Sequence, residues 1–239
     1  MDFTIKFASG MNKQAVAHIF FDLDHTIWDF DRNSALAFGR VFSTHRIQLE
    51  VARFVKIYEP INFNYWKLFR EERISKQELR RGRFQDAFGA LGMHFDITTI
   101  DLLAESYIQE LPGDNHLFEG AEQLLERLAD IYKLHIITNG FHQVQHQKLA
   151  NSGIAHLFST VTTSEEARVK KPHPYIFRLA MEKAGALPEE SLMIGDTFEA
   201  DILGAEEVGM QTIFINYHKE NIPINYTCVD QLWELDAFL

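Results

Sequence analysis

The chain has 239 residues, 46% of them hydrophobic and 24% charged, which describes an ordinary globular protein with room for one large domain or a core and a smaller unit. A formal net charge of −11 argues against a dedicated nucleic-acid polymer as partner, because such a surface repels a phosphate backbone. Cys228 is the single cysteine, which excludes an intrachain disulfide or a multi-cysteine metal site and leaves it as a packing residue. Residues 1–14 are unpatterned and read as a frayed start, with no signal-peptide pattern. No stretch approaches the roughly 18 apolar residues of a membrane span, so neither a membrane nor a secreted address is expected and the cytoplasm is the default.

Five short apolar runs have strand length and β-branched or aromatic content: Val16–Phe21, Leu134–Ile137, Val161–Thr163, Leu192–Ile194 and Thr212–Ile215. None alternates cleanly, which suits strands buried on both faces of a parallel sheet. After the first run the rhythm breaks. Residues 33–114 hold helix formers and almost no strand-like runs, with one-sided apolar patterns over Tyr65–Glu72 and Lys76–Gly89. Pro60 is expected to interrupt or kink one helix, and 90–97 and 111–116 read as turns.

From 115 on, Ala121, Leu124, Leu125 and Leu128 mark one helical face, and 142–152, 174–184 and 198–208 read as further helices. Gly153, Gly185 and Gly209 follow those three, each ahead of a strand, where a left-handed cap is wanted. The pattern predicts an α/β fold, a doubly wound parallel sheet formed by residues 1–32 and 115–239, with an inserted all-helical cap over 33–114.

Ligands of such sheets gather beyond the carboxyl ends of the strands. Asp22 and Asp24 follow the first strand, and two carboxylates this close at the mouth of a buried strand need a cation or strong donors to stay ionised. Thr138, Asn139 and Gly140 follow the second and suit an anion at a helix N-terminus, although alone they read equally as a plain cap. Lys171 stands before Pro172 after the third, so its ammonium is aimed by a stiff backbone, whereas Lys170 reads as a surface residue. Asp196 follows the fourth, with Asp201 about a turn and a half on. Clustered oxygen ligands without cysteine or grouped histidine select a hard cation, Mg²⁺ above all. His142 and His146 lie four apart on one helix, but neither a following glutamate nor a third ligand accompanies them.

These motifs, in this order, resemble the haloacid dehalogenase superfamily, whose signature of DxDxT, Ser/Thr, Lys and GDx(3–4)D reads here as Asp22 to Thr26, Thr138, Lys171, and Gly195-Asp196 through Asp201. Ile136 to Phe141, Ser164-Glu165-Glu166 and Trp66 with Gly82-Arg83-Phe84 are similar to the YjjG-like 5'-nucleotidases within it. Ala167-Arg168-Val169 departs from the pattern, since small or Gly residues are usual there. The resemblance implies a HAD-like Rossmannoid core and a Mg²⁺-dependent phosphatase. Asp22 would be the nucleophile and Asp24 the general acid–base. Thr138, Asn139 and Lys171 would bind phosphate. Asp22, Asp196 and the Asp24 main-chain carbonyl would hold the metal, with Asp201 assisting the metal or anchoring Lys171. The dehalogenases of the superfamily lack the second aspartate, so Asp24 favours phosphate chemistry.

The helical insert would close over the site and select the leaving group. Trp66, Phe69, Arg80, Arg83 and Phe84 are candidates to face a nucleobase, although aromatic core and solvated arginine describe most of them more simply. The expected partner is a small phosphorylated metabolite, and the sequence carries no signature of oligomeric state. Four readings fit: a nucleoside monophosphatase, a phosphatase for a sugar phosphate or phosphoglycolate, a phosphomutase, and a non-catalytic binding module.

Overall fold

The computed structural model describes residues 13–217 and 219–239, so the start expected to be frayed lies largely outside the described residues. The chain divides into two compact units, one made of Asp31–Asp114 and the other of the chain up to Phe30 and from Asn115 onward.

In the second of these, six strands form one parallel sheet: β1 (His18–Phe21), β2 (Lys133–Thr138), β3 (Phe158–Thr163), β4 (Ser191–Gly195), β5 (Gln211–Ile215) and β6 (Cys228–Val229). Their order is β3-β2-β1-β4-β5-β6, so the chain runs outward from β1 to one edge, then crosses back to the other. The reversal falls at β1, which pairs with both β2 and β4, and a crevice beyond the strand ends at such a point is where ligands bind. Ile19, Phe20, Phe21, Ile136, Ile137, Leu192, Met193 and Ile194 have no exposed surface, which is why these runs show no alternation.

Helices α5 (Ala121–Ala129), α6 (His142–Asn151), α7 (Ser164–Ala167), α8 (Pro174–Ala184) and α9 (Gly204–Glu207) join the strands. Gly153, Gly185 and Gly209 have φ of 77°, 65° and 86°, the left-handed geometry expected of them. Arg168 has the same geometry (φ 59°) where it ends α7, so a residue with a side chain stands where a glycine is favoured. Pro174, not Pro172, is the proline that opens α8.

Two expectations need correction here. The segment 198–208 is not one α-helix: Phe198–Leu203 is a π-helical turn, and α9 follows it. β6 was not among the strands expected, because two residues carry no readable period.

The other unit is helical: α1 (Phe30–Thr44, whose first residue belongs to the sheet unit), α2 (Val51–Arg70), α3 (Lys76–Ala90) and α4 (Ile97–Glu110). Its core is aromatic. Phe38 stacks on Tyr107 at 4.4 Å between ring centres, Phe54, Tyr58 and Phe84 surround the pair, and Phe88 packs behind Phe54. Pro60 does not interrupt α2, which runs through it. A boxed cap on Ser75 and Glu78 starts α3. No described helix is long and apolar enough to cross a membrane.

Candidate active site

The ends of β1, β2 and β4, the segment after α7 and the π-helical turn bring the expected residues to one place or near it. β1 ends at Phe21, and the buried Asp22 follows directly. β2 ends on Thr138, β4 on Gly195, and Asp196 continues from it. Lys171, only 2% exposed, puts Nζ 2.6 Å from Asp22 Oδ1 and 2.6 Å from Asp201 Oδ1, and donates to the Ile137 carbonyl at 2.8 Å. One ammonium thus serves two carboxylates and a strand end.

The Asn139 side chain explains how that lysine is aimed. Its Oδ1 accepts from the Lys171 amide (2.8 Å) and its Nδ2 donates to the Lys171 carbonyl (3.0 Å), so the main chain at 171 is gripped from both sides. The amide expected to meet phosphate is therefore occupied by Lys171. Thr138 Oγ1 accepts from the Gly140 amide at 3.0 Å and from Gln145 Nε2 at 2.7 Å, and neither Thr138 nor Asn139 is the N-cap of α6, a position taken by Phe141.

Asp22, Asp196 and Asp201 each present an oxygen within 4.8 Å of the others. Burial raises the Asp22 carboxyl well above its usual range; Lys171 opposes this, while Asp201 and Asp196 add to it. Burial and then Asp201 push Asp196 up to about 7, against the hydrogen bond from Thr26 Oγ1 at 2.9 Å and the charge of Lys171. Burial alone would lower Lys171, but Asp201 and Asp22 leave it above its usual value. One ammonium is thus outnumbered by three carboxylates, and an all-oxygen set short of positive charge fits a hard divalent cation. Asp201 is held for this by Gly195: a Cβ there would collide with the Asp201 carboxylate, whose Oδ2 accepts from the Thr197 amide at 3.0 Å.

Asp24 stands apart from that cluster. Its Oδ1 accepts from Lys148 Nζ at 2.5 Å and its Oδ2 from Gln145 Nε2 at 3.0 Å. Neither donor was expected from the sequence. The available signal is that Gln145 and Lys148 fall on the same face of α6 as Phe141, where apolar residues belong. Lys148 is 1% exposed and lies 3.9 Å above the Trp28 ring. The rings of His142 and His146 are 4.4 Å apart, with His142 Nδ1 bonded to Thr163 Oγ1, and neither joins the carboxylates. Lys170 is half-buried, in contrast to the surface lysine expected.

Of the candidates in the helical unit, Phe84 belongs to the aromatic core, while Trp66 and Phe69 are half-buried and pack edge to face at 5.8 Å. Arg83 is not on a solvated face. It is 1% exposed, donates to Asn62 Oδ1 at 2.8 Å and lies between the Tyr58, Phe84 and Tyr107 rings.

A model of haloacid dehalogenase-like hydrolases matches residues 16–209. Pyrimidine 5'-nucleotidase PynA of Streptococcus pneumoniae is 34% identical over 206 residues, 85% of each chain. Pyrimidine 5'-nucleotidase YjjG of Escherichia coli is 33% identical over 92% of this chain and 96% of its own. The magnesium-bound crystal structure of the HAD-hydrolase YfnB of Bacillus subtilis superposes with a TM-score of 0.83 at 30% identity, covering 94% of this chain and 98% of that one. The defluorinating L-2-haloacid dehalogenase Rha0230, at 17% identity and a TM-score of 0.71, shares the fold.

Proposed function

Because the chain belongs to the haloacid dehalogenase-like hydrolase family, we propose that it is a Mg²⁺-dependent phosphomonoesterase acting on nucleoside 5'-monophosphates through an aspartyl-phosphate on Asp22. The observation that carries the chemistry is the buried Lys171, shared by Asp22 and Asp201 beside Asp196. The two pyrimidine 5'-nucleotidases similar over most of the chain support the substrate class.

An Asp22 oxygen attacks phosphorus, the aspartyl O–P bond forms, and the ester P–O bond breaks. Asp24 gives its proton to the departing alkoxide. It then takes one from the water that attacks the aspartyl-phosphate, which frees phosphate and restores Asp22. Lys171 and Thr138 hold the phosphoryl oxygens, as does the main-chain amide of Asn139, whose side chain is spent on Lys171. Asp22 and Asp196, with the Asp24 carbonyl, would hold Mg²⁺, and Asp201 anchors Lys171 beside it. The cation supplies the positive charge that lets a carboxylate approach a phosphate dianion.

Phosphate release from a panel of phosphomonoesters, with and without Mg²⁺, tests this. Nucleoside monophosphates should be hydrolysed best, and Asp22→Asn should lower kcat by more than about a thousandfold. Release from sugar phosphates alone would keep the mechanism and discard the substrate class. An Asp22→Asn variant as active as the wild type would end the reading altogether.

A further inference from the structure

Asp24 is two residues from Asp22, yet its carboxylate is not among those gathered at 22, 196 and 201. A free carboxylate at that distance is a natural extra ligand for a divalent cation, since hard cations take as many oxygens as reach them. Here both oxygens are taken by donors one turn apart on α6, Lys148 on Oδ1 at 2.5 Å and Gln145 on Oδ2 at 3.0 Å.

The donors are themselves constrained. Lys148 is buried, with Trp28 and Phe30 rings at 3.9 Å and 5.2 Å from its ammonium, and Asp24 is its carboxylate partner. A buried ammonium is costly without such a partner, so Lys148 has no cheap alternative position. Gln145 lies against Gly140, where any Cβ would collide with its side-chain amide, and the same amide bridges to Thr138 Oγ1 at 2.7 Å.

We propose that Lys148, seconded by Gln145, is a positioning residue that holds the Asp24 carboxylate out of the cation's reach, so that it is not lost to the metal as a ligand. Among the described contacts, Lys148 pairs with the Asp24 carboxylate and with none of those of Asp22, Asp196 and Asp201, so it acts on the site through Asp24. The inference rests on the phosphatase reading of the site. A lysine serving stability alone would have no reason to affect cation affinity through Asp24.

The test is a double-mutant cycle of Lys148→Met and Asp24→Asn, read by calorimetric Mg²⁺ titration and by steady-state phosphate release from a phosphomonoester. With Asp24 present, K148M should tighten Mg²⁺ at least about threefold more than it does in the D24N background, where only the removed charge acts. Its kcat should fall about tenfold or more with KM within about threefold, and K148R should recover most of the loss. Equal changes in Mg²⁺ affinity in both backgrounds, or an unchanged kcat, would overturn the proposal. Should K148M fail to fold by circular dichroism, Gln145→Leu enters the same cycle, and equal effects in the two backgrounds again overturn it. Failure of the wild type to release phosphate with Mg²⁺ is a different result, which removes the functional reading while the calorimetric cycle still judges the clamp.

Discussion

Gly195 has no room for a methyl group, because the Asp201 carboxylate occupies the space where one would go. Gly195→Ala should therefore push Asp201 off Lys171, costing about 1–3 kcal/mol of stability by overpacking. It should also lower kcat with Asp22 and Lys171 both intact; denaturant midpoints and phosphate release measure the two effects. A second residue-scale prediction concerns His135, buried against His18 and Phe20 with Nδ1 bonded to Thr160. Burial, with the neighbouring His18 and Lys133 charges, lowers its pKa to about 4. The unfolded imidazole takes a proton near pH 6.5 and the folded one only near 4, so the unfolded state binds more protons between these values. Stability is full above about 6.5 and lost as pH falls towards 4. The fall in melting temperature from pH 7.5 to 5 should be smaller in His135→Phe than in the wild type. Lys171 was legible in the sequence because a strand and a proline frame it. Lys148 was not, because its burial is decided by Asp24, distant in the chain.

At the scale of elements, the sheet was readable for a physical reason. Strands such as β1 and β4 are covered on both faces, so they appear as unbroken apolar runs, and the left-handed caps demand glycine wherever α6, α8 and α9 end. What escaped was local geometry that leaves no period: the π-helical turn at Phe198–Leu203, and the two residues of β6. Pro60 shows the limit of a composition rule. It stands exposed inside α2 without ending it, while Phe54, Tyr58 and Asn62 on either side stay buried. Packing of that face overrides a lost hydrogen bond. The bond is still lost, so Pro60→Ala should stabilise the helical unit by about 1–2 kcal/mol, after the gain in unfolded-chain entropy is set against it. Thermal unfolding followed by circular dichroism would register it as a higher midpoint, and a lower one would mean that the ring makes contacts the helix needs.

The whole molecule consists of two units with separate cores, one a parallel sheet between helices and the other a box of aromatic rings. The candidate carboxylates all belong to the sheet unit. Under the Mg²⁺ reading, a cation at about a hundred times its Kd should stabilise that unit by about 2.7 kcal/mol. Amide hydrogen exchange should then slow in β1, β2 and β4, with α2 and α3 little changed; protection rising equally everywhere would contradict the assignment of the metal to the sheet unit alone.

The way the chain leaves and rejoins the sheet unit has its own consequence. The Asp29 amide donates to the His116 carbonyl and the Phe118 amide to the Ile27 carbonyl, both at 3.0 Å, around an antiparallel bridge from Trp28 to Leu117. The outgoing and returning chain are laced together before the helical segment begins. Loop-closure entropy grows only slowly with length, and here the lacing fixes the ends at neighbouring positions whatever lies between them. To the sheet, the 84 residues of Asp31–Asp114 are thus a side loop on a clasp. A lineage could lengthen, shorten or exchange that loop, and with it whatever the loop recognises, without renegotiating the strands that carry the chemistry.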